Sequence, residues 1–214
     1  MNIIILGAPA SGKGTQAQLL AKKYRLYHLQ SGDIAREIAK KDERIKTIVN
    51  SGKLVPEEEM TMYILDFLHK NRPRFKNILF EGYPRFKTQY DALEKFLKYK
   101  GDDIDAVISL DVDKRTSIKR ISSRRICTKC HEVYNLITNP PKGEVCDKCG
   151  GKLIQRADDN PKSIAVRFEY YKENTKELIN YLARHKKLIR VNGEKSIDEI
   201  FKTIVSKLKN VKRE

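Results

Sequence analysis

The opening stretch of the chain limits its possible folds more than any other. Met1-Asn2-Ile3-Ile4-Ile5-Leu6 is a short apolar, β-branched run with room for one buried strand. It empties into Gly7-Ala8-Pro9-Ala10-Ser11-Gly12-Lys13-Gly14-Thr15. Ala17, Leu20, Ala21 and Tyr24 then recur at i, i+3, i+4 and i+7, the spacing of a helix that faces a core. Strand, glycine-rich loop and helix together make a phosphate-binding loop. Glycines let successive backbone N–H groups converge, the helix N-terminus adds partial positive charge, and Lys13 reaches outer phosphates. The usual motif places Ser or Thr directly after the lysine, where its hydroxyl meets Mg²⁺. Here Gly14 holds that place and the hydroxyl comes at Thr15.

A chain of 214 residues is long enough for one well-buried domain with an insertion or two. It has no apolar run long enough to span a membrane and no basic leader with a cleavage site, so a soluble, cytoplasmic protein without a membrane partner is expected. The net charge of +16 invites a nucleic-acid partner. The basic residues are dispersed, however, except at Arg120-Arg124-Arg125 and Lys207-Lys209-Lys212-Arg213. Anionic small molecules are the favoured partners, with no nucleic acid.

Further strands are expected at Leu26–Leu29, Asn77–Glu81, Asp105–Asp111 and Lys187–Val191. His28 reads as a packed or hydrogen-bonded histidine. Helices are expected from Ile34 to Lys40, after Pro56 with its three glutamates, and after Asp113 with Ile118 and Ile121 inward. Two more follow Asn160-Pro161 and the capping box Ser196-x-x-Glu199. Strands alternating with helices predict an α/β doubly wound five-stranded parallel sheet with its ligand at the carboxyl ends of the strands.

All four cysteines lie in two Cys-x2-Cys turns, Cys127/Cys130 and Cys146/Cys149, fifteen residues apart. That spacing predicts four thiolates around a structural Zn²⁺ with no open position. Two disulfides are the alternative, disfavoured for a cytoplasmic protein.

The combination Gly-Ala-Pro-x-Ser-Gly-Lys-Gly-Thr, Ser31-Gly32-Asp33 with Arg36, Gly52-Lys53-Leu54-Val55, Gly82-Tyr83-Pro84-Arg85 and Arg156-Ala-Asp-Asp resembles adenylate kinase. Arg167, eleven residues beyond Arg156, falls at the family's spacing. The resemblance covers essentially the whole chain. It implies Mg²⁺-dependent, reversible transfer of the γ-phosphoryl group of ATP to AMP, giving two ADP, by a monomer. It also implies two mobile insertions in a core of residues 1–29, 56–123 and 162–214: an AMP-binding flap, 30–55, and a zinc-stapled lid, 124–161.

By the same resemblance ATP meets Ala10, Ser11, Gly12, Lys13, Gly14, Thr15, Arg120, Arg124, Val133, Tyr134 and Lys195. AMP meets Ser31, Arg36, Lys53, Leu54, Val55, Gly82, Tyr83, Pro84, Arg85, Gln89, Arg156 and Arg167. Asp33 and Glu81 hold Mg²⁺ through water, Glu81 standing where the family has Asp. The catalytic set is Lys13, Arg85, Arg124, Arg156, Arg167, Asp158 and Asp159. UMP/CMP-type kinases share this core, but Gln89 and the long lid favour AMP. A phosphate-loop nucleic-acid enzyme with a zinc ribbon, or a non-catalytic nucleotide sensor, are the readings from other classes.

Overall fold

The structure, a computed structural model, describes residues 1–71, 75–185 and 188–211, with side chains through residue 209. The first strand, β1 (Ile3–Gly7), lies at the centre of a five-stranded parallel sheet. Its neighbours are β3 (Ile78–Glu81) and β4 (Ala106–Asp111), with β2 (Tyr27–Gln30) and β8 (Leu188–Asn192) at the edges, in the order β2-β3-β1-β4-β8. A strand buried on both faces needs apolar residues at successive positions, which explains the unbroken Ile-Ile-Ile-Leu run. Ile4 and Leu6 enter one core cluster and Ile3 and Ile5 the other. Each of these four burials stabilises the fold by roughly 1.5–3 kcal/mol. Asn2, in the same run, is fully buried, and its amide binds the carbonyls of Phe75 and Asp103 and the N–H of Ile78.

The helices are α1 (Lys13–Tyr24), α2 (Ser31–Ala39), α3 (Glu43–Asn50), α4 (Glu57–Asn71), α5 (Lys87–Tyr99) and α6 (Lys114–Ser122). After the insertion come α7 (Pro161–Tyr170), a π-helical segment Tyr171–Thr175, α8 (Lys176–Arg184) and α9 (Ile197–Val211). Helices α1 and α9 cover one face of the sheet, and α2 to α5 with α8 the other. The capping box forms: Ser196 N donates to Glu199 Oε2 at 3.1 Å and Glu199 N to Ser196 Oγ at 3.3 Å. Among the described residues no helix is long and apolar enough to cross a membrane.

Two expectations need correction. Helix α2 begins at Ser31, so Ser31-Gly32-Asp33 form its first turn rather than a loop before it. Ile118 is 38% exposed, because the buried face of α6 is Ser117 and Ile121 at i, i+4. Ser117 lies under the phosphate loop, where its hydroxyl donates to Pro9 O. Beyond the expected five strands, residues 124–154 carry a three-stranded antiparallel sheet of their own. It is built from β5 (Arg124–Cys127), β6 (Val133–Asn135) and β7 (Leu153–Ile154). Lys187, expected to open the last core strand, and the basic residues Lys212 and Arg213 lie outside the described residues.

Candidate active site

The core strands end together. Ile5 and Gln30 are in register with Glu81, Gly7 with Leu110, and Asp111 with Asn192. Above these ends lies one cavity of about 900 Å³, bordered by the phosphate loop, α2, the 52–55 strip, the 81–89 segment, the lid strands and residues 194–198.

The phosphate loop leaves β1 at Gly7, whose φ is +146° and where a Cβ would lie 2.6 Å from Leu110 O. Only glycine fits that approach. Helix α1 then starts at Lys13 behind Gly12, with no side-chain cap and no acid in its first turn. Its first N–H groups remain available to an anion. Lys13 Nζ donates to Gly7 O at 2.9 Å and Ala8 O at 2.7 Å. Burial pushes its pKa down to about 7, with Arg85, Arg167 and Arg124 adding to the effect and Glu81 opposing it.

Beside Lys13 stands Glu81. Its Oε1 lies 3.3 Å from where a Cβ on Gly14 would be, and its Oε2 is 2.8 Å from His28 Nε2. Burial alone would raise its pKa. The hydrogen bond from His28 and the charges of His28, Lys13 and Arg156 hold it below its ordinary value instead. A methylene longer than aspartate, Glu81 uses the extra reach to meet the histidine on the neighbouring strand. A carboxylate kept ionised next to the phosphate loop, over a residue without a side chain, suits the coordination sphere of a hydrated divalent cation.

Arg36 and Arg85 stand on the cavity wall beside α2 and the 81–89 segment. Arg36 packs over Gly32 and pairs with Asp33 at 2.5 Å. Arg85 Nε donates to Gly82 O at 2.8 Å, and burial followed by the nearby Arg167 lowers its pKa to about 10. Gln89 is 3% exposed, accepting from Arg85 N at 2.9 Å and donating to Glu57 O at 3.2 Å. One lone pair and one N–H of its amide remain beyond these two bonds.

Three arginines approach from the lid side. Arg124 donates from Nε to Asp159 Oδ2 at 2.7 Å, with a second contact from Nη2 to Oδ1. Arg167 Nη1 reaches Asp158 at 3.0 Å and Asp159 at 3.1 Å. Arg156 Nε is buried without a partner, and burial and then Arg124 pull its pKa down to about 10. Crowded like charges of this kind are costly unless a polyanion joins them.

Most of the expected residues border the cavity, but Tyr83, Asp33 and Asp159 do not. Tyr83 is fully buried, its hydroxyl 3.4 Å from Thr61 Oγ1. Asp159 holds arginines from behind. Tyr134 borders the cavity, yet strand alternation turns its side chain the other way. Its hydroxyl lies 3.4 Å from Cys146 Sγ, and it packs with the cysteines in a small lid core. Asn135, not singled out from the sequence, lines the cavity and donates from Nδ2 to Arg120 O at 2.7 Å. An Asn in a short strand carries no local signal for that role.

The sulfurs of Cys127, Cys130, Cys146 and Cys149 lie within 4.8 Å of one another and could hold a metal ion. The environment favours the thiolate at Cys127 and Cys146, whereas at Cys130 the Glu132 N–H is outweighed by the neighbouring thiols, which push the pKa up. N–H groups led by that of Cys130 lower the Cys127 pKa, and the Tyr134 hydroxyl leads in lowering that of Cys146 to about 6.

Comparison with known proteins points the same way. A family model described as adenylate kinase matches residues 5–187. The adenylate kinase of Fervidobacterium nodosum is 44% identical over 209 residues, covering 95% of each chain. That of Caldanaerobacter subterraneus subsp. tengcongensis is 39% identical over 219 residues, covering 100% of this chain and 99% of the relative. That of Kosmotoga olearia is 38% identical across 99% of this chain and 100% of its own. With its phosphate loop, convergent arginines and full-length likeness to these enzymes, the chain belongs to the adenylate kinase family, ATP:AMP phosphotransferases that interconvert ATP plus AMP with two ADP.

Proposed function

We propose that ATP binds with its phosphates on the loop Ala10–Thr15 and its base between Arg120, Val133, the main chain of Tyr134 and the Lys195 strip. AMP binds opposite, its phosphate between Arg36 and Arg85 and its base along Lys53, Leu54, Val55 and Gln89. The observation that carries this reading is the single cavity with Lys13, Arg36, Arg85, Arg124, Arg156 and Arg167 on its walls. Phosphoryl transfer asks mainly for in-line placement and for cancellation of charge on the moving group, and needs no covalent intermediate. Lys13 and the loop amides hold the donor. Arg124, Arg156 and Arg167 surround the group in transit, and Asp158 and Asp159 fix two of those arginines. Mg²⁺ arriving with ATP would neutralise phosphate charge, and Glu81 on the cavity wall would hold it through water.

The flap, 30–55, and the lid, 124–161, close over the cavity and exclude water, which would otherwise divert the reaction to hydrolysis. The four cysteines hold a structural Zn²⁺ that makes the lid one rigid body, the donor set being complete without solvent. The test is a split in Michaelis constants. R36M should raise KM for AMP by about tenfold or more with KM for ATP little changed, since a charged hydrogen bond to phosphate is lost. Equal effects on both substrates would contradict the assignment.

A further inference from the structure

The donor end of the cavity is closed by the strip Gly193–Ile197 between β8 and α9, and several contacts hold it. Gly193 N donates to Asp111 O at 2.8 Å, Arg120 Nη1 to Gly193 O at 2.8 Å, and Asp113 N to Glu194 Oε1 at 3.1 Å. These contacts come from β4 and α6. One more comes from the phosphate-loop helix itself: Gln16 Nε2 donates to Ile197 O at 2.9 Å. Gln16 is 1% exposed, borders the cavity, and leaves its Oε1 buried without a partner. Its surroundings are the apolar packing of α1 on α9, through Ala17, Leu20, Ile200 and Ile204. An amide with an orphaned carbonyl is a costly filler for such a place, where an apolar side chain of similar length would pack without penalty. Packing therefore does not account for the amide, whereas what it holds does.

We propose that Gln16 is a positioning residue for the donor nucleotide. It fixes the strip that borders the donor base relative to the loop that holds the donor phosphates, and so sustains discrimination between adenine and other bases. This rests on the donor placement given above. Because Gln16 directly follows the loop residue Thr15, phosphates and base are registered through one short helix turn.

The test uses Q16M, which keeps length and apolar contact but removes the amide, together with the isosteric Q16E, which turns a carboxylate toward the Ile197 carbonyl. Both are assayed for KM of ATP and AMP and for relative kcat/KM with ATP and GTP. Loss of one positioning hydrogen bond predicts a rise of about five- to tenfold in KM for ATP. KM for AMP should stay unchanged, and the ATP-over-GTP preference should fall by a similar factor. Thermal stability should change little in Q16M, because the orphaned carbonyl goes with the bond. An ATP KM and an ATP/GTP ratio within twofold of the parent in either folded variant would overturn the proposal. R120M, assayed alongside, separates two failures. If R120M raises the KM for ATP and the Gln16 variants do not, the clamp is wrong and the donor placement stands. If neither changes it, the donor placement is wrong as well.

Discussion

Arg124 and Asp159 clip together the two ends of the segment that carries the four cysteines. Arg124 Nε donates to Asp159 Oδ2 at 2.7 Å, a second guanidinium nitrogen meets Oδ1, and the Asp159 side chain is wholly withdrawn from solvent. Arg124 opens β5, the first lid strand, and Asp159 stands just before α7. The pair therefore ties the start of the cysteine-bearing segment to its end, and Arg124 borders the cavity from there.

Removing the carboxylate leaves Arg124 buried without a counter-charge and Arg167 with Asp158 alone. D159A should therefore lose roughly 3–5 kcal/mol of unfolding free energy. D158A should lose less, because the Asp158 side chain is 22% exposed and touches Arg167 alone of the two. Urea denaturation of both variants checks this. Equal stability of D159A and the parent would contradict it.

Burial brings the pKa of Lys13 down from 10.5 to about 7 in the folded protein. Between these values the folded protein binds fewer protons than the unfolded chain, so this residue makes the protein more stable as pH rises through that window. K13M should flatten that part of the pH–stability curve. Donor phosphates favour the charged form, so ATP binding at pH 7 to 8 should take up a proton. Calorimetry in buffers of differing ionisation enthalpy should give a buffer-dependent binding enthalpy. A buffer-independent enthalpy would contradict the account of Lys13.

Glu81 and His28 form a pair across neighbouring strands, 2.8 Å apart. E81Q retains the shape and removes the charge. It should lower kcat about 10- to 100-fold and shift the Mg²⁺ titration of the rate to higher concentration, as loss of an outer-sphere carboxylate does. H28A should cost roughly 1–3 kcal/mol of stability by leaving a buried carboxylate without its donor. A Mg²⁺ titration unchanged in E81Q would exclude Glu81 from the cation's surroundings.

With Zn²⁺ bound by Cys127, Cys130, Cys146 and Cys149 as proposed, its chelation should lower Tm by about 5–10 °C, since binding energy to the folded segment is lost. Turnover at 25 °C should fall much less. Release of one zinc per chain with no change in Tm would contradict a structural role.

Sequence spacing exposed those parts whose chemistry is local. Gly7 to Thr15 and the two Cys-x2-Cys turns each place their groups within a few residues, and the expected phosphate loop and cysteine cluster both form. The core strands were legible as well, because a strand buried on both faces must be continuously apolar, as Ile3–Leu6 is. The lid sheet was not. Its strands are two to four residues long, too short for any periodicity, and long-range pairing of Ile126 with Val133 and Ile154 assembles them. The π-helical segment Tyr171–Thr175 was also hidden, since it interrupts a helix without changing its apolar stripe. Gln16 and Asn135 escaped notice for a third reason: their amides bind backbone carbonyls far away in sequence, and no residue pattern encodes a carbonyl.

The most direct test of the whole account is a coupled assay of ADP formation from ATP with AMP, CMP, UMP or GMP as acceptor, run with Mg²⁺ and with EDTA. Magnesium-dependent turnover with AMP, and little or none with the other acceptors, is the predicted result. Tight ATP binding with no turnover on any acceptor would contradict it.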